Sequence, residues 1–452
     1  MDVLFLSRIQ FALNTCFHYL YPPISIGLGL LLVIMEGIYL KTKQEKYKQM
    51  TSFWIQIFAL TFALGVATGL VQTFAFGTNW ARYSRFVGDV FGSALAAEGI
   101  FAFFLEAGFL GILLFGWDRV GPKVHYFATI CVCLGAHFSA VWIVVANSWM
   151  QTPAGFHIVE TPLGPRAEIT EFWSMVLNPS SIDRLCHVVL GCWLTGAFFV
   201  ISVAAYYFLK RKHREMSSSM MKIGLGFAIF SLLLQLVSGD SSARLVSKYQ
   251  PAKLAALEGV YKTAAPTPAS VVGWVDGKNE VVHSLKIPGL LSLMTHRDVS
   301  EPVMGLDQIP RDEWPNVPLT FQTYHLMVLT WALMFFLTLM GLYHWKRLEA
   351  KRWLLWAMVF SVVLPHIAQQ CGWICAEVGR QPWIVYKVLR TSEGVSTSIS
   401  AGQVFGSITM FLVIYILLFS LFIFLLDRKI KLGPKSEGGD PVYRDLLKEG
   451  RF

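Results

Sequence analysis

Nine apolar runs, each long enough to cross a bilayer, constrain what this chain can fold into more than any other feature. A bilayer core takes about 20 residues of helix. Runs of that size lie near residues 14–39, 52–76, 93–115, 124–148, 185–209, 220–238, 321–343, 353–376 and 402–426. In lipid every backbone N–H and C=O must be satisfied within its own segment, so such runs fold as helices. The expected fold is an all-α polytopic membrane protein with nine transmembrane helices. A chain that is 54% hydrophobic and only 15% charged is too apolar for a soluble protein of 452 residues. No basic segment precedes the first run and no small-residue cleavage site follows it, so it reads as a retained span. The seven cysteines lie mostly within apolar runs, and "CVC" and "CGWIC" lack a partner pair at zinc spacing, so they read as buried thiols.

The formal net charge of +9 does not point to nucleic acid, because the basic residues cluster in short loops between the runs. "KTKQEKYK", "DRVGPK", "KRKHRE", "WKRLEAKR" and "DRKIKLGPK" follow the first, third, fifth, seventh and ninth runs. With an odd number of spans all five fall on one side, which the lysine and arginine bias makes cytoplasmic. The N-terminus is then outside and the C-terminus cytoplasmic. The outer connections are 77–92, 149–184, 239–320 and 377–401. The longest, 239–320, exceeds an ordinary connection and is expected to form an ordered outer segment of loop and short helix, the helix in "PAKLAALEGVYK" carrying Lys253 and Glu258. The chain divides into 1–238 (six spans), the outer loop 239–320, 321–430 (three spans) and a polar cytoplasmic tail, 431–452.

Ionisable side chains within apolar spans are costly and mark function. His18, Glu98, His187, Met327 and Glu377 come from five different runs, yet the orientation puts all five in the outer part of the membrane. Packing residues have no reason to share a depth. Two histidines, a methionine and carboxylates suit haem iron, for which a His/Met pair gives a closed electron-transfer centre. Carboxylates at such depths equally suit a proton-coupled secondary transporter, and the residues themselves leave both readings open. Glu98 and Glu106 are eight residues apart in one span, about 80° around a regular helix and about 12 Å along it. Both can face one interior path for protons, and Ser139 in the next span lies at middle depth. Taken alone, Ser139 reads as a hydroxyl bonded to its own helix. The stretch "CAEVGRQPW", 375–383, ends a span with a carboxylate, an arginine, a glutamine and a proline–tryptophan pair, which looks like a site.

"SRIQFALNTCFHYLYPP", "FALGVATGLVQTFAFGTNW", "AAEGIFAFFLEAGFLG", "VWIVVANSWMQTP" and "GRQPW" together resemble subunit I of cytochrome bd quinol oxidase. The resemblance runs almost continuously from 1 to about 210 and resumes at 240–262 and from about 320 to 426. It implies a terminal oxidase in the bacterial cytoplasmic membrane, oxidising ubiquinol or menaquinol at the outer face, reducing dioxygen to water and building proton motive force without pumping. It implies a low-spin haem b, a high-spin haem b and a haem d, or a b-type haem in its place. Carried over by position, His187 and Met327 look like the axial pair of the low-spin haem. Glu377 and His18 look like iron ligands of the two active-site haems, with Glu98 beside or opposite His18. Trp373 packs on the haem that Glu377 serves and Arg380 pairs with propionates. Lys253 and Glu258 match the quinol site, and Glu106 with Ser139 the proton route. The implied partners are subunit II in a heterodimer, in some members a small single-helix subunit, and membrane lipid. Two departures matter. His325 stands where some members carry arginine, putting the contact made there in doubt and offering a second iron ligand. The loop 239–320 is short, as in the short-loop branch.

Overall fold

The computed structural model describes residues 2–434. Among these it holds nine helical segments long and apolar enough to span a membrane: Val3–Thr42, Glu45–Thr78, Gly88–Phe115, Pro122–Gln151, Ser181–Lys210, Arg214–Tyr249, Val317–Tyr343, Arg352–Val378 and Ala401–Leu432. They are called spans one to nine. Most of the expected cytoplasmic tail lies outside the described residues.

Three spans are interrupted, each for a local reason. Span one is two helices, Val3–His18 and Pro22–Thr42. Pro22 and Pro23 lack donors, and their rings exclude the carbonyls four residues back, so the first helix stops at His18. Hydropathy starts this span near 14 because Ser7, Gln10 and Asn14 are polar. The fold buries all three. Gln10 donates to Ser407 of span nine at 2.5 Å and accepts from Asn79, and Tyr415 of span nine donates to Asn14 at 3.1 Å. Span three carries a π-helical turn, Glu98–Phe103, between helices Gly88–Ala97 and Phe104–Phe115. Span eight breaks between Phe360 and Val363, where Pro365 excludes the Ser361 carbonyl. Span six runs to Tyr249, well past its expected end at 238. Its last turns are polar and tied down: Asp240 binds Arg244 and Arg297, each at 2.5 Å, and Ser242 donates to Asp183 at 2.6 Å. The connection between spans six and seven is therefore 250–316.

Span five is the hub. Of its most apolar stretch 78% is buried, against 11% for span nine. Phe198, Val200 and Tyr207 pack with Leu28, Leu31 and Met35 of span one, Trp54 and Phe58 of span two, and Met220 and Met221 of span six. Spans one and five approach at a glycine pair: a β-carbon on Gly27 would stand 2.8 Å from the Gly196 nitrogen. Small residues let membrane helices pack this closely where apolar burial gives little drive. Gly27→Ala must part the two backbones, an overpacking cost of about 1–3 kcal/mol. The purified protein is expected to unfold at a lower temperature with Gly27→Ala, and at the wild-type temperature with Gly406→Ala, where the added carbon meets open space.

The connections expected on the outer side hold structure not expected from the sequence. Phe156–Thr161 pairs with Gly164–Ile169, Ala269–Asp276 with Val281–Ile287, and Trp383–Val385 with Leu389–Arg390, each as an antiparallel hairpin. The helix expected in "PAKLAALEGVYK" is Pro251–Glu258.

Candidate functional site

The first cluster forms where span four ends and span eight turns out of the membrane. Glu377 sits in the last turn of span eight. One oxygen accepts from Asn147 and from Gln151, each at 3.1 Å, and the other from Arg380. Asn147 and Gln151 are four apart on span four, so they share a face. Asn147 also accepts from Arg184 of span five, whose guanidinium lies 5.8 Å from the Trp373 ring. Trp373 meets Tyr19 edge to face at 5.5 Å. Gln151 in turn accepts from Lys253 at 2.5 Å, and Lys253 also donates to Gln250. Glu377, Arg380, Arg184, Gln151 and Lys253 thus form one network drawn from spans four, five and eight and the outer helix. Gly379 opens its middle: a β-carbon there would stand 2.8 Å from Lys253 Cγ.

Lys253 is 3% exposed. Burial, with the Arg184 cation nearby, holds its ammonium well below the ordinary lysine value, and Glu377 opposes this. Lys253 and Glu258 are five residues apart on a helix and look to different neighbours. Glu258 accepts from the Ser270 backbone N–H at 3.3 Å and from the Tyr324 hydroxyl. Burial raises its carboxyl, against the pull of His325, Ser270 and Tyr324. His325 is not poised for iron: its two ring nitrogens stand 2.9 Å from the carbonyls of Phe321 and Ser270.

His18 ends the first helix of span one and meets span two. Its Nδ1 is 3.0 Å from the Thr68 hydroxyl, which donates to the Leu64 carbonyl at 2.8 Å. A hydroxyl has one proton, so Thr68 accepts from His18. Nδ1 then carries the hydrogen and Nε2 keeps its lone pair, the tautomer a metal needs. Gly69 gives the ring room, since a β-carbon would come within 3.2 Å of it. His187 has the Ser238 hydroxyl at 3.1 Å from Nδ1 and the Gln235 amide at 3.0 Å from Nε2. Met327 lies on span seven with its sulfur 3.0 Å from where a Gly372 side chain would begin.

A third cluster, after the Glu377–Lys253 network and the Glu258–Tyr324–His325 group, joins spans three and four. The Ser139 hydroxyl donates to Glu98 at 2.5 Å, so the reading of Ser139 as bonded only to its own helix does not hold. Glu106 is buried against Gly135, where a β-carbon would come within 2.6 Å of its side chain. Gly135 and Ser139 are one turn apart on one face of span four. The π-turn explains why both carboxyls reach that face. A π-bulge absorbs one extra residue, so the expected offset of about 80° shrinks to about 20°. Among the described residues Glu98 bonds to Ser139, and no bond joins it to His18.

The residues brought together here fit haem on one test internal to the fold. Arg380 Nε and Nη1 and Arg184 Nε are buried with no hydrogen-bond partner in the protein. Buried guanidinium donors require acceptors, and carboxylates such as propionates match their fork. Sequence reasoning singled out Glu377, Trp373 and Arg380 but missed Asn147, Gln151, Arg184, Gln250, Thr68 and Tyr324. A signal existed for two of them: Asn147 and Gln151 are polar residues at helical spacing inside "VWIVVANSWMQTP".

Comparisons with known proteins agree with this architecture. The family described as cytochrome bd terminal oxidase subunit I matches residues 6–434. The chain is 38% identical to the cytochrome bd ubiquinol oxidase subunit 1 of Bacillus subtilis, over 98% of this chain and 96% of that one. It is 34% identical to the cytochrome bd-II ubiquinol oxidase subunit 1 of Escherichia coli, covering 96% and 98%. A chain in the structure of bd oxidase from Geobacillus thermodenitrificans superposes with a TM-score of 0.89 at 30% identity, covering 96% of this chain and 99% of that one.

Proposed function

Since the chain belongs to the cytochrome bd terminal oxidase subunit I family, a membrane-bound quinol oxidase of the respiratory chain, we propose that its three polar clusters divide the reaction between them. Membership of that family sets aside the transporter reading. Family membership implies haem, a subunit II partner and a quinol substrate. In our assignment His187 and Met327 hold the low-spin haem b. Glu377 and His18 each serve one active-site haem, a high-spin haem b and a haem d or a b-type haem in its place. Bound haem iron supplies one-electron transfer and, at an open position, reduction of dioxygen to water.

The protein's own groups do the rest. Quinol gives up two protons and two electrons. Glu258, whose carboxyl burial already raises, takes a proton from it and releases it on the outer side. Lys253, on the other face of the same helix, orients a quinol oxygen and ties it through Gln151 to the Glu377 network. Arg380 and Arg184 would hold the carboxylates of the bound haem with the nitrogens left unpartnered in the protein. Glu106, Ser139 and Glu98 carry protons inward from the cytoplasmic side to the oxygen-reducing end. That uptake across the membrane, with release outside, builds the potential without a pump. The connection 250–316 is short, which supports the short-loop branch.

The observation that carries this reading is the buried network from Lys253 to Glu377 with its unpartnered guanidinium nitrogens. Glu258→Ala is expected to lower quinol-driven dioxygen consumption by about 10²–10⁴-fold, the usual contribution of a positioned proton acceptor, while every haem band stays in the spectrum. Wild-type turnover with quinol in that variant moves the quinol site elsewhere.

A further inference from the structure

The hairpin Ala269–Asp276/Val281–Ile287 runs down the flank of span seven. Gly277 lies against Pro318, where a β-carbon would come within 2.8 Å of the ring. One step down, Gln322 donates to the Gly273 carbonyl at 2.9 Å. Further down, a ring nitrogen of His325 stands 2.9 Å from the Ser270 carbonyl. The strand therefore follows the first two turns of a membrane span in antiparallel register, and two of its outer-edge carbonyls are taken up by side chains of that helix. Its inner face is closed by Val282, which packs at Gly259 and would meet a β-carbon there at 2.7 Å.

The opposite face is apolar and open. Val272 pairs with Leu285 and Trp274 with His283 across the strands. Trp274 is 63% exposed and Leu285 69%, with Val281 and Ile287 also exposed. The Trp274 and His283 rings stack at 5.2 Å. Leu319, Leu326, Leu329 and Leu333 of span seven are exposed as well, and by helix periodicity they flank the Pro318–Gln322–His325 stripe that the hairpin covers. Span seven has 27 residues, about 40 Å of helix, while the hydrocarbon core is about 30 Å and the headgroup regions bring the bilayer to about 40–45 Å. A centred span leaves about 5 Å, roughly one turn, beyond the core at each end, so the hairpin beside its first two turns reaches from the headgroup level to the edge of the hydrocarbon. Tryptophan favours that level.

We propose that the outward face of this hairpin lies on phospholipid at the outer membrane interface, so that the hairpin is a membrane-resting flap and not part of a water-exposed outer domain. The occupant is lipid because the face is continuous with the lipid-facing side of span seven and shares its depth. For the reaction, and resting on the reading given above, a lipid-soluble quinol would then approach Glu258 from the bilayer edge beneath the flap, since Glu258 binds the Ser270 N–H at the flap's base.

The test is site-directed photocrosslinking in the assembled oxidase in native membranes. A benzophenone amino acid is placed at Leu285, at Leu333 as a lipid-facing reference, and at Lys278 in the hairpin turn. After irradiation, peptides bearing phospholipid adducts are measured by mass spectrometry. The expected result is an adduct yield at Leu285 equal to that at Leu333, with none at Lys278. A crosslink from Leu285 to subunit II or to a second copy of this chain overturns the proposal, and so does the absence of a phospholipid adduct at Leu285 when Leu333 gives one. Turnover is not the readout, so failure here leaves the quinol-site assignment to be judged by Glu258→Ala alone.

Discussion

Glu106→Gln lowers steady-state dioxygen consumption by at least about tenfold, the low end of what a lost proton-transfer group costs, while quinol still reduces the haems. The substitution keeps the shape and hydrogen-bonding capacity of the side chain against Gly135 and removes only its ability to carry a proton. Electron transfer from quinol needs no proton from this path, so reduction persists. Turnover needs protons at every cycle, so it falls. The π-turn makes the prediction specific. It brings Glu98 and Glu106 to one face of span three, with the Ser139 hydroxyl bonded to Glu98. A passive neutral carboxylic acid at this position would leave turnover unchanged on conversion to the amide. Oxygen-electrode rates together with a membrane-potential dye decide between the two: normal dioxygen consumption with a normal potential routes protons through other residues.

Glu377→Ala is expected to abolish dioxygen reduction and to remove one active-site haem from the spectrum, leaving the low-spin bands. The loss should exceed the roughly 10–100-fold that follows removal of an outer partner of a metal ligand. Two effects add. The assigned iron ligand disappears, and the carboxylate that pairs with the buried Arg380 guanidinium disappears with it. That leaves a buried charge unpaired, and Asn147 and Gln151 lose their shared acceptor. Glu377→Gln retains an acceptor for Asn147 and Gln151 while removing the anionic ligand and the charge facing Arg380, so it isolates the loss of charge from the loss of the side chain. Pigment content per subunit and turnover are measured on the same samples. Full haem content with full turnover in Glu377→Ala removes Glu377 from the ligand set.

How much of this was legible before folding depends on whether the signal is local. The nine spans are written in hydropathy, which each segment carries by itself. Span six escaped at its end because Asp240, Arg244 and Ser242 keep the helix going through partners that hydropathy ignores. The break after His18 had a visible cause in Pro22 and Pro23. The hairpin at 269–287 also had one: in "VVGWVDGKNEVVHSL" two valine-rich runs flank the polar turn stretch "DGKNE". The π-turn had none, since nothing in "EGIFAF" distinguishes it from regular helix. The individual ligand-type residues stood out by their cost in lipid. The groups that hold them did not, because Thr68 reaches His18 across two spans and Gln151 links Lys253 to Glu377 across three elements. Such contacts are properties of the packing. Nothing in the residues one by one told Lys253 and Glu258 to look in different directions; the turn of a short helix did.

The assignment of iron ligands at matched depth on different spans is the centre of the account, and the His187/Met327 pair tests it most directly. The reduced-minus-oxidised spectrum of the purified Met327→Leu oxidase is the measurement. Leucine keeps the volume beside Gly372 but cannot ligate iron. The account predicts that the low-spin α band shifts or gives way to a high-spin signature while the active-site haem bands remain. A spectrum identical to that of the wild type would contradict it.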